Sequence, residues 1–298
     1  MKHLKGALAV FIGAASFGVL STFVKKAYAA GFSLGEVTGV QALLGMLILW
    51  IIFIMMKVIQ IDFNKYPRKT ASWKIMMAGI STGIVSIIYY KCVQLVPASI
   101  AIVLLMQFIW IGALINYLVF KQKPTKKQSI GIALILAATL LATGVFESTI
   151  QDISALGIFY GILAALAYSI FLMVNGKVGN DYPPVQKSAL MVTGACILIF
   201  VVLQPFSLLQ TTVDLEIYKY GVLLAVFGTV LPPFLFAYGM PKIDMALGSI
   251  LSAVELPVAV AMSYFVLYEK VSLLQWLGVA FILAVVIWTN YNKKSKLL

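Results

Sequence analysis

Cys92-Val-Gln-Leu-Val-Pro-Ala-Ser-Ile-Ala-Ile-Val-Leu-Leu-Met-Gln107 returns later in the chain as Met240-Pro-Lys-Ile-Asp-Met-Ala-Leu-Gly-Ser-Ile-Leu-Ser-Ala-Val-Glu255. The letters differ, but the residue types keep register. Ala98 falls on Ala246, Gln107 on Glu255 and, just upstream, Tyr90 on Tyr238. With a one-residue shift in the following loop, Thr125-Lys-Lys-Gln128 falls on Ser272-Leu-Leu-Gln275, and Gly131 on Gly278. Toward the N-terminus, Gly6-Ala7 falls on Gly157-Ile158 and Phe17 on Tyr168. The chain therefore reads as two copies, residues 1–150 and 151–298. In a membrane chain such a duplication is a mark of transporters.

Composition identifies the solvent. Of the 298 residues, 62% are hydrophobic and 11% charged, and the mean hydropathy is +1.02. A soluble fold of that length has too little polar surface to cover so much apolar material. Lipid removes the difficulty. A helix of about 17–25 residues crosses a hydrocarbon core of about 30 Å. Apolar runs of that length predict helices over roughly 5–24, 34–57, 73–95, 98–120, 127–146, 155–176, 185–206, 218–239, 245–267 and 272–290. Helices three and four, and eight and nine, are separated only by Val96-Pro97 and by Pro241-Lys-Ile-Asp244. Proline and charge both end helices. The expected fold is all-α and integral to the membrane, with ten transmembrane helices.

Charge sets the orientation. With the N-terminus inside, about 17 of the 22 Lys and Arg fall on the cytoplasmic side, including Lys5, Lys57, Lys65, Arg68, Lys121, Lys126, Lys187, Lys242, Lys293, Lys294 and Lys296. The outer side or deeper positions receive Lys25, Lys26, Lys91, Lys219 and Lys270, and the outer loops collect Glu147, Asp152, Asp214, Glu216 and Glu269. The formal charge of +12 therefore belongs to loops facing an anionic inner leaflet and is no nucleic-acid footprint. Both termini are expected in the cytoplasm of a cell with the protein in its inner membrane. Five helices per copy is an odd number, so the second copy enters from the opposite side and the two five-helix repeats are inverted. Lys2, Lys5 and Ala27-Tyr28-Ala29 also imitate a cleavable signal peptide. The alignment of the first helix with the sixth, and Lys25-Lys26 just before the cleavage position, argue against that.

Leu105-Met106-Gln107-Phe108-Ile109-Trp110, the segment Glu255-Leu256-Pro257-Val258, and Tyr268-Glu269-Lys270-Val271-Ser272 followed by Gln275 and Gly278 resemble the EamA-type branch of the drug/metabolite transporter superfamily. The resemblance covers nearly the whole chain as two repeats and is strongest in the last two helices of each. It implies a ten-helix inverted-repeat fold and export of small metabolites, often amino acids or amphipathic compounds. One departure is that Lys121 stands where the acidic residue after the fourth helix is usual.

Glu255 is the leading candidate for a site. An ionisable group inside a helix costs about 2.5–3.5 kcal/mol to insert and usually faces a cavity or a partner. Pro257, two residues on, removes a backbone donor. A freed carbonyl beside the carboxylate would suit a cation, a proton or a substrate amine, whereas a structural glutamate would simply bond a neighbouring hydroxyl or amide. Its repeat mate Gln107, with Trp110 one turn on, belongs either to the same site or to helix-helix adhesion. Phe17 and Tyr168, and Tyr90 and Tyr238, are paired aromatics suited to a substrate with apolar and charged parts, or else to interhelical packing. The expected cavity lies among helices one, three, four, six, eight and nine, lined by Phe17, Tyr90, Gln107, Trp110, Tyr168, Tyr238 and Glu255. Lys25 and Lys26 are expected to reach outer water, and Lys91 to snorkel to the headgroups. Pro232-Pro233 should kink helix eight.

Enzyme chemistry finds little footing. The single histidine is His3, at the terminus, so no Ser-His-Asp or Cys-His arrangement has a base. Cys92 and Cys196 show no metal-ligand spacing, and no Gly-rich phosphate loop of an ATP-driven pump is present. The expectation is a secondary transporter, an exporter, with no cofactor and no metal. Its partners are a small-molecule substrate, the lipid bilayer and a coupling ion, for which the proton is the candidate and Glu255 the carrier. The alternatives are a passive pore or scaffold, and an integral-membrane enzyme with acid and base residues clustered at one face.

Overall fold

The computed structural model describes residues 2–61, 63, 66–96, 98–144, 154–209, 215–268 and 270–290. Pro97, Lys65, Glu147, Asp152, Asp214, Glu269, Lys293, Lys294 and Lys296 lie outside the described residues. The architecture is all-helical. The order is α1 (Lys2–Ala29), α2 (Leu34–Val58), α3 (Ser72–Leu95), α4 (Ala98–Leu105), α5 (Phe108–Phe120), α6 (Lys126–Ala142), α7 (Ala155–Lys177), α8 (Pro184–Leu203), α9 (Glu216–Leu224), α10 (Leu231–Gly239), α11 (Met245–Ser252), α12 (Glu255–Leu267) and α13 (Leu273–Asn290). A π-helical turn, Ala225–Val230, joins α9 to α10. Among the described residues, eight helical stretches are long and apolar enough to cross a membrane, and α6, at 17 residues, and the apolar stretch Leu273–Thr289 of α13 are shorter. Leucine, isoleucine, tryptophan and phenylalanine stand exposed along these helices, as lipid-facing surfaces require. The protein is a multi-pass membrane protein.

Several predicted boundaries move. α1 runs past Lys25-Lys26 to Ala29, because cations in the last turn suit the negative end of the helix dipole. It stops where Gly31 takes φ +92°. In the eighth helix, Pro232-Pro233 occupy the first turn of α10, where proline costs least, and the preceding turn relaxes into the π form. Ser16 Oγ donates to Phe227 O in that turn at 2.7 Å.

Two helices are broken at corresponding places. α4 gives way to α5 at Met106-Gln107, and α11 to α12 at Ala253-Val254. Both second pieces end on a left-handed residue, Lys121 and Tyr268, each at φ 56°. The caps that follow also correspond. Thr125 N donates to Gln128 Oε1 at 2.8 Å and Gln128 N to Thr125 Oγ1 at 3.2 Å. Ser272 N donates to Gln275 Oε1 at 2.9 Å and Gln275 N to Ser272 Oγ at 3.2 Å. Each is a capping box.

α6 packs along α13 through glycine. A side chain at Gly131 would strike Thr289, and one at Gly278 would strike the backbone of Ala142. In the same way α3 packs on α8 with Gly79 against Met191 O and Gly194 against Met76 O, backbone on backbone. The large hydrophobic cluster joins α1, α4, α5, α6, α7, α10, α11, α12 and α13 around Phe108, Phe171 and Phe236, all buried.

Cross-contacts gather one set of helix ends at one face of the bundle. Gly6 abuts Gly239 and Lys242, and Gln128 Nε2 donates to Asp244 Oδ1 at 2.9 Å. Lys177 lies over the Phe120 ring, and Lys127 over Trp288. Asp181, in the α7–α8 loop, accepts Thr70 N at 2.6 Å and Thr70 Oγ1 at 2.7 Å. Burial works against that carboxylate, but the Thr70 hydrogen bonds outweigh it and hold the carboxyl below its usual range. Lys187, counted above with the loop lysines, is instead 1% exposed. Its ammonium donates to Asn175 O at 2.7 Å and Asn180 Oδ1 at 2.9 Å, closing the C-terminal end of α7.

Candidate functional site

A cavity of about 210 Å³ lies between the two halves, displaced toward the face opposite Asp181 and Asp244. Its floor is the second break. Glu255 is the first residue of α12, so its carboxylate stands at a helix N-terminus, the favourable end of the dipole. Tyr168 Oη donates to Glu255 Oε2 at 3.3 Å. The Tyr168 ring is wedged edge-on against Phe108 at 4.6 Å, with Phe171 at 5.5 Å and Phe17 at 6.1 Å. These are stable aromatic geometries, and they fix the phenol where it meets the carboxylate. The carbonyl that Pro257 was expected to free is occupied: Leu256 N donates to Ala253 O at 3.3 Å in a tighter turn.

The remaining walls are mixed. Tyr90 Oη donates to Gln41 Oε1 at 3.1 Å, bringing an α3 phenol and an α2 amide to the cavity together. Thr82, Ser86, Thr229 and Ser263 add hydroxyls, and Tyr89, Ile102 and Leu105 add apolar surface. Lys25, Lys270 and Gln275 sit at the outer rim. The cavity thus offers one carboxylate beside aromatic faces, with lysines at its entrance. That arrangement suits an organic cation or a dipolar molecule.

Of the seven candidate residues, four line this cavity: Phe17, Tyr90, Tyr168 and Glu255. Gln107, Trp110 and Tyr238 lie elsewhere. Gln107 is spent on the first break, its Nε2 donating to Val103 O at 2.9 Å and its Oε1 accepting Trp110 Nε1 at 2.9 Å. Trp110 is 41% exposed on the lipid-facing side. The Tyr238 ring carries the Lys242 ammonium at the opposite end of its helix pair. Residues paired by the sequence reading therefore part company: Tyr90 and Glu255 line the cavity, and Tyr238 and Gln107 do not.

The sequence reading also missed residues. Lys25 was expected in outer water and lines the cavity instead. α2 and α8 contribute Thr38, Gln41, Ala195 and Ile199, and the ends of α6 and α13 contribute Thr143 and Gln275. Gln41 carried a usable signal, a polar amide within an apolar run. Lys91, by contrast, bonds its neighbour Gln94 at 3.3 Å.

A helical membrane bundle that encloses a polar-floored cavity has the architecture a membrane transporter requires. The chain belongs to the EamA-like transporter family, whose family model matches residues 4–144 and again 155–291. It is 22% identical over 298 residues to a protein of Bacillus subtilis (strain 168) named as the uncharacterized transporter YcbK, spanning 97% of this chain and 93% of that one. A solved crystal structure shares the fold at a TM-score of 0.75 and 13% identity, over 95% of this chain and 96% of its own.

Proposed function

We propose that the protein is a secondary active exporter of small metabolites, amino acids or amphipathic amines, working by alternating access in a bacterial inner membrane. The observation that carries this reading is the cavity. It sets the Glu255 carboxylate against Tyr168, Phe17 and Phe171, so a substrate ammonium finds a counter-ion and aromatic faces at once. Phe17, Tyr90, Tyr168 and Glu255 are its substrate contacts, and Glu255 is also the group able to carry a coupling proton.

Residues 1–150 and 151–298 are the two inverted five-helix repeats, with α4–α5, α9–α10 and α11–α12 each counted as one membrane helix of ten. The α6–α13 packing supports this. Gly131 meets Thr289, and the mate of Gly131, Gly278, meets the mate of Thr289, Ala142. A contact reciprocated in that way is the mark of a twofold relation between its two sides. Two antiparallel helices related by such an axis place it in the membrane plane, as inverted repeats require. The corresponding breaks and capping boxes, and the double match of the family model, point the same way. The lysine-rich face bearing Asp181 and Asp244 is cytoplasmic, and the cavity is the outward-facing site.

Counterflow in proteoliposomes tests the reading. Liposomes are loaded with members of a panel of the common amino acids and aromatic amines, and tracer entry is followed. A carrier shows trans-stimulation by its own substrate. A pore conducts without it, and that result would remove the carrier reading.

A further inference from the structure

The two halves depart from their correspondence around α11 and α4. α11 packs against α1, α5, α6, α7 and α13, and all 8 of its residues are buried. Its mate α4 packs chiefly on α7 and α3, the counterparts of the α1 contact and of the preceding helix. The pairs that would mirror α11–α5 and α11–α6 are α4–α12 and α4–α13. The cavity lies between these instead, with Ile102 and Leu105 on one wall and Leu267, Val271 and Gln275 on the other.

A polar contact matches this difference. Gln128 Nε2, at the start of α6, donates to Asp244 Oδ1, the N-cap of α11, at 2.9 Å. The same carboxylate oxygen accepts Leu247 N at 2.9 Å. In the other half the mate of Gln128 is Gln275, which lines the cavity, and the mate of Asp244 is Val96, which is buried and carries no acceptor on its side chain. So the Asp244 face has a bond across the two halves that the corresponding pair, Gln275 and Val96, cannot form.

We infer that α11 is the gate on the Asp244 face, that α4 is its counterpart on the cavity face, and that the Gln128–Asp244 bond is the latch favouring the form open on the cavity side. The pivots are the helix breaks at Met106-Gln107 and Ala253-Val254, where the α-helical hydrogen-bond ladder is already interrupted. Glu255 is the residue just past the second pivot, so whatever binds there acts on the moving piece directly. This rests on the alternating-access reading above and assigns its moving parts.

The test uses the full-length chain in membrane vesicles, with Cys92 and Cys196 replaced by Ala and one reporter cysteine at Leu247, a buried position on the gate itself, or at Ser86, in the cavity. Gln128→Glu keeps the capping box with Thr125, since Glu serves that position as well as Gln, but sets a carboxylate against Asp244. An exposed polar contact of this kind is worth about a fivefold population shift. Labelling of Leu247→Cys by a membrane-impermeant thiol reagent, applied from the Asp244 face, should rise about fivefold. Labelling of Ser86→Cys from the cavity face should fall. Adding Asp244→Asn, which keeps the N-cap and supplies an amide donor to the carboxylate introduced by Gln128→Glu, should restore both rates. Unchanged rates in Gln128→Glu would overturn the latch. So would a change that Asp244→Asn fails to reverse, because it would mark damage to α6. Labelling needs no substrate. A responsive gate without trans-stimulation would therefore sink the carrier reading alone, and an unresponsive gate in a protein that shows counterflow would sink the latch alone.

Discussion

Replacing Glu255 by Gln changes the cavity floor at nearly constant volume. The Tyr168 hydroxyl keeps an acceptor, since the amide oxygen can stand where Oε2 stood, 3.3 Å away. The aromatic cluster keeps its contacts, with Phe108 at 4.6 Å from Tyr168. What is lost is the counter-ion for a bound ammonium. Truncating one member of a buried charge pair costs about 3–5 kcal/mol, and the retained amide oxygen still accepts one hydrogen bond. The net loss should be about 2 kcal/mol, a roughly 30-fold weaker affinity. Phenethylamine and 2-phenylethanol make the comparison, because they share the ring and chain and differ in charge. Binding is read from the thermal stabilisation of detergent-purified protein. The amine should lose about 30-fold and the alcohol less than about threefold. An equal loss for both, or none for the amine, would refute the assignment of Glu255 as the ammonium partner. Transport adds a second axis. If Glu255 carries the coupling proton, the Gln variant should retain exchange and lose uptake driven by a pH gradient.

Three further outcomes follow from the geometry. Tyr168→Phe removes only a long hydrogen bond and should weaken amine binding about two- to threefold in the same thermal assay, whereas Tyr168→Ala opens a void and should lower stability by about 3–5 kcal/mol. Gly278→Val would force a side chain into the Ala142 backbone, and the melting temperature should fall by the equivalent of about 1–3 kcal/mol. The Asp181 carboxyl is held below its usual range in the folded protein, so its stabilisation is full above the unfolded value of about 3.9 and is lost as pH falls through the folded value. Melting temperatures followed from about pH 6 downward should fall less steeply in Asp181→Asn than in the parent protein.

Much of the fold was legible because lipid simplifies the code. Long apolar runs have one physical reading, and the repeat register at Thr125–Gln128 and Ser272–Gln275 led to the same capping box twice. The interruptions inside helices were harder to read. Nothing local in Leu105-Met106-Gln107 announces a break, because it is the side chain of Gln107 that satisfies Val103 O there. At the site, Glu255 and Tyr168 were visible as polar or aromatic residues deep in apolar runs. That Trp110 would fall outside the cavity was not visible, since its orientation depends on the helix rotating its ring outward to lipid, which a residue type does not encode. Lys25 misled for a related reason: a long side chain at a helix end can reach water either outside the bundle or within a cavity.

The central claim is that one cavity is presented alternately to both faces of the membrane. A single cysteine at Ser86, in the protein lacking Cys92 and Cys196, measures this directly when impermeant thiol reagent is applied to one face at a time. The account predicts reaction from both faces, faster from the face opposite Asp244, with reaction from either face slowed by an amine that binds at Glu255. Reaction confined to one face under every condition, with trans-stimulation also absent, would contradict it.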